Sequence, residues 1–205
     1  GYPGKHLLTT GITGTNGKTT IAYLLTQALD ALGRDAAYIG TLGAGMIGHF
    51  EDTGMTTPGP LELQSLCASF VEAGISDLVM EVSSHALNQE RTVGLNFRYA
   101  IYTNLTHDHL DYHPSFAHYA ECKAKLFQMP DLEAIIVNVD DSNHDLMLKH
   151  ANPKAKIYTY GINQNADVFV ERMHWSLEGM HLMLLSPWGK VKLQTSLLGH
   201  FNIYN

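Results

Sequence analysis

The stretch Gly11-Ile12-Thr13-Gly14-Thr15-Asn16-Gly17-Lys18-Thr19-Thr20 follows a short apolar segment and leads into a segment with helical periodicity. Glycines in such a loop let backbone N–H groups turn inward around phosphate oxygens, and the N-terminus of the next helix adds positive potential. The lysine of such a loop, here Lys18, holds the terminal phosphates of a nucleotide, and the Thr19 hydroxyl ligates Mg²⁺. The stretch therefore predicts a strand–loop–helix unit that binds a nucleotide.

One position of this loop departs from the common pattern G-x-x-x-x-G-K-[ST]. The first glycine of that pattern would fall at Ile12, and Gly11 lies one residue earlier. The order of strand, loop and helix is still the one that a phosphate site requires. A second glycine-rich stretch, Gly43–Gly48, matches the dinucleotide fingerprint G-x-G-x-x-G, but no helical periodicity follows its last glycine. We predict a glycine-rich hairpin there.

Strands and helices alternate along the first two-thirds of the chain. The predicted strands are Leu7–Thr13, Ala36–Leu42, Asp77–Val82, Tyr99–Asn104 and Glu133–Val139, and the predicted helices are Ile21–Leu32, Pro60–Ala73, Ser115–Gln128 and Asp141–His150. Four more strands follow, at Ala155–Tyr160, Ala166–Trp175, Met180–Leu185 and Lys190–Leu197. The pattern predicts an α/β fold of the phosphate-loop type: a mostly parallel sheet flanked by helices, with a small antiparallel β addition, residues 155–198, near the C-terminus.

Composition excludes several classes of protein. The chain has 205 residues, 45% of them hydrophobic and 16% charged, which is typical of a folded globular protein. No apolar run approaches the about 20 residues that span a bilayer, so we expect no membrane insertion. A formal net charge of −7 argues against a broad nucleic-acid surface. Cys67 and Cys122 lie far apart in the sequence and suggest a reduced, cytoplasmic protein.

Polar side chains follow two of the predicted strands. Glu81 ends the apolar strand Leu78–Glu81, where phosphate-loop proteins place an acid that reaches the metal, although it could also be an ordinary strand-end glutamate. The segment Tyr102–His113 contains three histidines and two aspartates, but its spacing is not that of a zinc site. One or two of these side chains should face the nucleotide, and the spacing leaves open which of the three histidines does so.

The predicted helix Ser115–Gln128 places a lysine among apolar residues. Lys123 falls on the same face as Tyr119 and Phe127, whereas Lys125 falls on the opposite face. Burial lowers the pKa of an amine and makes its neutral form available for chemistry. The alternative is a lysine whose stem is buried while its ammonium reaches the surface.

Five segments together carry a resemblance to a known family: Gly14–Thr20, Thr56-Thr57-Pro58, Glu81–Leu87, Thr103–His113 and Gly199–Asn205. They resemble the Mur ligases, and the Glu81–Leu87 and Thr103–His113 segments favour the members that add a diamino acid to UDP-N-acetylmuramoyl-L-alanyl-D-glutamate in peptidoglycan biosynthesis. The resemblance covers essentially the whole chain but only the central ATP-binding domain of the family. We therefore expect residues 1–205 to be a fragment that lacks the N-terminal uridine-binding and C-terminal amino-acid-binding domains and is inactive alone.

The resemblance implies an ATP-dependent ligase that forms an amide bond through an acyl phosphate. It implies that ATP binds to residues Gly14, Thr15, Asn16, Gly17, Lys18, Thr19 and Thr20. One Mg²⁺ would bind Thr19 and Glu81, and a second would bind His109 and Lys123, with a CO₂-derived carbamate on Lys123. Lys18, Glu81, His109 and Lys123 would be catalytic. Contacts to the UDP-sugar peptide would come from Thr56, Thr57, Ser83, Gln89 and Arg91. Asn205 would lie near the adenine, and the enzyme would act as a monomer on ATP, the UDP-sugar peptide and a diamino acid.

Three alternatives remain at this point. A ligase of the folylpolyglutamate-synthetase type shares the phosphate loop and the acyl-phosphate chemistry, but the serine–histidine string after Glu81 counts against it. A module that only hydrolyses GTP should carry the guanine-binding string Asn-Lys-x-Asp, which is absent from the sequence. A zinc hydrolase built on the histidines is the third. The fragment does not indicate whether meso-diaminopimelate or L-lysine is the amino acid added.

Overall fold

The computed structural model describes residues 1–108, 111–162 and 165–205. Its strands are β1 Leu8–Thr13, β2 Ala36–Gly40, β3 Gly43–Met46, β4 His49–Glu51, β5 Asp77–Glu81, β6 Phe97–Tyr102, β7 Ala134–Asn138, β8 Lys156–Gly161, β9 Val168–Ser176, β10 Gly179–Ser186 and β11 Gly189–Thr195. Its α-helices are α1 Lys18–Ala31, α2 Pro60–Glu72, α3 Ser84–Asn88, α4 Phe116–Ala124 and α5 His144–Leu148. Short 3-10 helices cover Pro3–His6, Lys125–Gln128 and His200–Ile203.

Within these described ranges the strands form one sheet, in the order β11-β10-β9-β8-β7-β6-β1-β5-β2-β3-β4. Strand β1 lies between β5 and β6 and is parallel to both, with Ile12 opposite Glu81 and Thr13 opposite Tyr102. Strands β2 and β7 extend this parallel set on either side. The predicted mostly parallel α/β sheet is therefore confirmed. The carboxyl ends of its central strands meet at one edge, where ligands bind in such folds.

The antiparallel parts of the sheet lie at its two ends. Strands β3 and β4 form the predicted glycine-rich hairpin beside β2. At the other end β9, β10 and β11 are antiparallel, but β8 is not part of that set. Strand β8 is parallel to β7, to which α5 connects it by a crossover, and parallel to β9 over its last two residues. The prediction of an antiparallel region over residues 155–198 was thus wrong for its first strand.

Two predicted helices are shorter than their sequence pattern suggested. The helix predicted over Ser115–Gln128 changes to a 3-10 turn at Lys125. The helix predicted from Asp141 begins only at His144, because the Asp141 carboxylate accepts hydrogen bonds from the Tyr102 hydroxyl (2.7 Å) and from the backbone N–H groups of Leu105 (3.0 Å) and Asn143 (2.9 Å). A tertiary contact therefore replaces the first helical turn.

The helices cover the two faces of the sheet unequally. Helix α1 packs on one face, where Ala22 is buried with Ile12, Tyr38 and Val79. Helices α2, α4 and α5 pack on the opposite face around a larger apolar core that includes Leu63, Tyr119 and Met147. None of the helices in the described ranges is both long and apolar enough to cross a lipid bilayer.

Candidate nucleotide and ligase site

The phosphate loop is held in place by the segment that follows β6. The Thr103 hydroxyl donates to the Asn16 carbonyl (2.7 Å), and the Asn104 side chain both accepts from the Asn16 N–H (3.0 Å) and donates to its carbonyl (3.1 Å). The Thr15 N–H donates to the Asn104 carbonyl (2.8 Å). Gly14 has a φ of 146°, and a Cβ there would overlap the Thr103 hydroxyl. The loop geometry therefore depends on a glycine and on a neighbouring strand.

Two lysines meet at one carbonyl of this loop. The Lys18 ammonium donates to the carbonyls of Gly14 (3.0 Å) and Thr15 (2.8 Å), and the Lys123 Nζ donates to the same Gly14 carbonyl (2.9 Å). The Lys123 side chain is 1% exposed, so its predicted inward orientation is confirmed. Lys123 also lies over the Tyr119 ring, with Nζ 4.6 Å from the centroid. Two lysine amines thus meet at one carbonyl of the loop.

Burial and mutual repulsion change the pKa of these amines. Burial, and to a smaller extent the charge of Lys18, lower the pKa of Lys123 to about 7, against an opposing attraction from Asp108. Burial also lowers the pKa of Lys18, while the negative charges of Glu81 and Asp108 oppose that effect. Near neutral pH a large fraction of Lys123 is therefore a neutral amine with a free lone pair.

Glu81 is fully buried and accepts hydrogen bonds from three neighbouring residues. One carboxylate oxygen accepts from the Tyr38 hydroxyl (2.5 Å) and the Thr41 N–H (2.9 Å), and the other accepts from the hydroxyls of Thr19 (3.0 Å) and Thr41 (3.3 Å). Burial and the bond to Glu81 raise the pKa of Tyr38, so the phenol stays a donor. Thr19 and Glu81, predicted to share a metal, are therefore in direct contact at the carboxyl ends of β1 and β5.

Gly40 lets Glu81 and Tyr38 approach each other. A Cβ at Gly40 would overlap both the Glu81 carboxylate and the Tyr38 hydroxyl. We expect Gly40→Ala to weaken Mg²⁺–nucleotide binding roughly 10–100-fold, the usual cost of disturbing groups that orient a metal ligand. It should also lower the free energy of unfolding by about 1–3 kcal/mol through overpacking. Titration calorimetry and denaturant unfolding measure the two effects.

A matched control for this substitution is Gly59→Ala. Among the residues that the structure describes, none has a heavy atom within 4 Å of the added Cβ at Gly59, and the φ of Gly59 is −68°. The control should keep the nucleotide affinity of the parent protein. Unchanged Mg²⁺–nucleotide affinity in Gly40→Ala would show that the position of Glu81 does not matter for the site.

The residues expected to contact a sugar peptide form one cluster beside Glu81. The buried Thr57 hydroxyl donates to the Glu81 carbonyl (2.9 Å) and accepts from the Ser83 N–H (3.1 Å). The Ser83 hydroxyl accepts from the Ala86 N–H (3.1 Å) and so caps α3. The Thr56 hydroxyl lies 3.2 Å from that of Thr41. Thr57 and Ser83 therefore hold the local backbone together.

Arg91 and Gln89 complete this cluster. The Arg91 guanidinium donates to the Gln89 side-chain carbonyl (2.8 Å) and to the Thr57 carbonyl (2.9 Å). The amide groups of Gln89 and Asn88 both donate to the exposed Tyr112 hydroxyl, each at 3.0 Å. Arg91 is therefore a fixed cation that links the Thr57 loop to α3, next to the acid at the end of β5.

A cleft of about 520 Å³ lies on the other side of the phosphate loop. It is lined by Asn16, Gly17, Asn138, Asp141, Tyr204 and Asn205. The Asn205 side chain approaches Gly17 so closely that a Cβ on the glycine would lie 2.5 Å from the amide oxygen. The C-terminal segment of the chain is thus brought next to the loop, on the side away from Arg91.

The histidine segment is only partly described. His109 lies outside the described residues. The His107 ring packs on that of Phe116, with centroids 4.7 Å apart, and His113 is buried with its Nε2 2.9 Å from the Ser84 hydroxyl. The negative charge of Asp108 acts to raise the pKa of Lys18 and of Lys123, against the larger lowering effect of burial. His113 therefore belongs to a contact with α3.

Several residues of the site carried no sequence signal of their own. Tyr38 lies in the middle of β2 and Thr41 directly follows that strand, and neither is unusual in the sequence, yet both donate hydrogen bonds to Glu81. Tyr119 lies at a core position of α4, and its hydroxyl is 3.1 Å from that of Thr15. Thr41 could have been predicted as a site residue from the rule that the carboxyl ends of neighbouring parallel strands meet at one edge of the sheet. Nothing in the local pattern distinguishes Tyr38 or Tyr119 from core aromatics.

Comparison with known protein families shows which family the chain belongs to. The sequence model of the Mur ligase middle domain matches residues 12–205. The chain belongs to the Mur ligase family. The UDP-N-acetylmuramoyl-L-alanyl-D-glutamate--2,6-diaminopimelate ligase of Chromobacterium violaceum is 44% identical over 206 aligned residues, which include 100% of this chain and 42% of that protein. The chain thus spans about two-fifths of the length of this Mur ligase relative.

Solved structures agree with this assignment. A structure of a UDP-N-acetylmuramoyl-L-alanyl-D-glutamate--2,6-diaminopimelate ligase has a TM-score of 0.92 and 39% identity, and the match covers 98% of this chain and 41% of that one. Mycobacterium tuberculosis folylpolyglutamate synthase, complexed with ADP and AMPPCP, has a TM-score of 0.79 at 18% identity, over 98% of this chain and 53% of that one. The second likeness shows that the Mur ligase fold is shared with folate ligases.

Proposed function

We propose that this chain is the ATP-binding domain of a ligase that adds 2,6-diaminopimelate to UDP-N-acetylmuramoyl-L-alanyl-D-glutamate in the cytoplasm. The observation that carries the proposal is the meeting of Lys18, Lys123 and the Thr19–Glu81 pair around one loop. Such a group of charges suits phosphoryl transfer, where positioning and electrostatic stabilisation supply most of the catalysis. The relatives named for this reaction support the substrate and the amino acid.

The proposed reaction has two chemical steps. The D-glutamate carboxylate of the sugar peptide attacks the γ-phosphorus of ATP, and the bond to the β–γ bridging oxygen breaks, which gives an acyl phosphate and ADP. The amine of the diamino acid then attacks the acyl carbon, loses a proton and expels inorganic phosphate, which leaves an amide. Lys18 would move from the loop carbonyls to the transferring phosphoryl group and neutralise its charge.

The residues present suit Mg²⁺. The Thr19 hydroxyl and the Glu81 carboxylate are hard oxygen donors 3.0 Å apart at the end of the loop, which is the donor type that Mg²⁺ prefers. Bound there, the ion would screen the phosphate charges. Tyr38 and Thr41 would keep the carboxylate in place through the hydrogen bonds they already make to it.

The burial that makes Lys123 unusual for a lysine also makes it suitable for forming a carbamate. Its buried amine has a pKa of about 7, so the neutral form can attack CO₂ and lose a proton, which leaves an anionic carbamate. This anion would serve with His109 as ligand to a second Mg²⁺. It would also exchange a buried positive charge beside Lys18 for an attractive negative one.

The residue cluster on one side of the loop and the cleft on its other side suit the two large substrates. We assign the sugar peptide to the cluster of Thr56, Thr57, Ser83, Gln89 and Arg91, because Arg91 offers a fixed cation close to the Glu81 end of the loop. The base and ribose of ATP would occupy the cleft lined by Asn138, Tyr204 and Asn205. The γ-phosphate would then lie between the ribose of ATP and the peptide carboxylate.

The test is ligation by the intact protein that contains this chain. With ATP, Mg²⁺ and UDP-N-acetylmuramoyl-L-alanyl-D-glutamate, we expect one diaminopimelate residue to be added for each phosphate released, and L-lysine to be a poor substitute. Product mass and phosphate release measure the outcome. Binding of Mg·ATP without ligation of either amino acid would refute the proposed acceptor. Glutamate addition to a folate by the same preparation would favour the folylpolyglutamate-synthetase alternative.

A further inference from the structure

A second group of potential metal ligands offers nitrogen and sulfur atoms, in contrast to the oxygen donors of the phosphate loop. His113, His118 and Cys122 each offer a nitrogen or sulfur atom, and these atoms all lie within 4.8 Å of one another. His118 and Cys122 are four residues apart on α4 and therefore share a face of that helix. His113 comes from the segment that precedes the helix. The sequence spacing gave no sign of this group, because its members come from two segments.

The distances from His118 to its two partners are close to those of a tetrahedral zinc site, and all three ligand atoms lie within 4.8 Å of one another. Zn–N bonds of 2.0–2.1 Å and Zn–S bonds of about 2.3 Å imply contacts of about 3.3 Å between two nitrogens and about 3.6 Å between nitrogen and sulfur. The Nδ1 atoms of His113 and His118 are 3.0 Å apart, and the Cys122 Sγ is 3.7 Å from the His118 Nδ1. Sγ is also 3.8 Å from the His118 Nε2, so the sulfur lies at a similar distance from both nitrogens of that ring.

The surroundings of His113 give the cluster the second layer of contacts that metal sites use. The His113 Nε2 lies 2.9 Å from the hydroxyl of the buried Ser84. If Nε2–H donates to that hydroxyl, the His113 Nδ1 lone pair points toward His118. Metal-bound histidines commonly donate their other ring nitrogen to such a partner, which fixes the tautomer and the ring orientation.

We propose that His113, His118 and Cys122 form a site for a borderline-soft divalent cation, Zn²⁺ in particular, with water as the fourth ligand. One thiolate and two imidazoles favour Zn²⁺ over Mg²⁺, which selects oxygen ligands. His113 and Cys122 are buried and His118 is half-buried, so the metal would enter past His118. Coordination removes the thiol proton, even though burial raises the pKa of Cys122.

A bound ion would connect two parts of the domain. It would join the segment that carries Tyr112 and His113 to α4, one residue before Lys123. Because the Tyr112 hydroxyl accepts from Gln89, the same ion would also restrain the proposed sugar-peptide surface. Zn²⁺ should therefore stabilise the protein without occupying the nucleotide site.

Cobalt provides a test that does not depend on ligase activity. We expect the intact, metal-free protein, held in excess Mg²⁺ to fill oxygen-donor sites, to bind one Co²⁺ with a sulfur-to-cobalt charge-transfer band in the near ultraviolet. Zn²⁺ should displace the cobalt and abolish the band. Cys122→Ala should remove the band and lower the Zn²⁺ affinity by more than the roughly 10–100-fold typical of an outer-layer change.

The chain supplies its own control in Cys67, the other free cysteine, which is buried in the core on α2. Cys67→Ala should keep the band, and His118→Ala, at the half-buried position, should lose it if Cys122→Ala proves unstable. Absence of a thiolate band in the parent protein would overturn the proposal. So would a band that survives Cys122→Ala and disappears in Cys67→Ala.

Discussion

Lys18→Ala is expected to abolish ligation in the intact protein, with a loss in turnover of roughly 10²–10³-fold or more, the range found when one donor to a charged transition state is removed. Lys18 is the cation of the phosphate loop, and its Nζ lies within 3.0 Å of two loop carbonyls. Alanine leaves the loop backbone free to form but removes the charge that, on the proposed mechanism, neutralises the transferring phosphoryl group. Single-turnover formation of ADP measures the phosphoryl-transfer step directly.

The control for this variant is Lys5→Ala, which removes an exposed lysine of the first 3-10 helix. Its turnover should match that of the parent protein. Circular dichroism should show that both variants are folded. Near-normal turnover of Lys18→Ala would refute the assignment of residues 14–20 as the phosphate site.

Lys123→Ala is expected to lower turnover by roughly 10²-fold or more, because on the proposed mechanism it removes a carbamate ligand to Mg²⁺, and a bound metal stabilises the transition-state charge by several kcal/mol. Millimolar formate or acetate should restore part of the activity, since a small carboxylate can occupy the space of the carbamate. In the parent protein the carbamate, followed with isotope-labelled bicarbonate, should decline as the pH falls below about 7. Below that pH the Lys123 amine is mostly protonated and cannot attack CO₂.

Lys125→Ala is the matched control, since Lys125 is the exposed lysine two residues further along the chain. It should need no carboxylate and should show the activity of the parent protein. Full activity of Lys123→Ala without any added acid would mean that Lys123 has only a structural role. Equal stimulation of both variants by acetate would mean that the salt acts elsewhere.

The fold could largely be predicted from periodicity, because α1 and α2 each have one apolar stripe and the central strands are short, mostly buried segments that alternate with the helices. The errors arose where a distant contact decided local structure. Asp141 has the pattern of a helix start, but its carboxylate binds Tyr102 and Leu105 instead. Strand β8 precedes antiparallel strands in the sequence, but its pairing with β7 is set by the crossover through α5.

The parts of the candidate site that could be predicted are residues whose side-chain type and position in the sequence pattern both indicate a role. A lysine and a threonine after a glycine loop, an acid at a strand end and a lysine on an apolar helix face all have a local signature. Tyr38 and Thr41 have none, because their role consists of hydrogen bonds to Glu81 that form only when β2 lies beside β5. The cluster of His113, His118 and Cys122 could not be predicted for the same reason. It forms only when the segment that carries His113 folds against α4.

The position of Glu81 opposite Ile12 has a consequence for how the protein is assembled. A slip of one residue between β1 and β5 would turn the Glu81 carboxylate to the other face of the sheet, away from Thr19. A misregistered chain could then hold neither the metal nor the phosphates, and the ligand would stabilise only molecules with correctly paired strands. Nucleotide bound at the proposed site would therefore favour, by mass action, the one strand alignment that can also do chemistry.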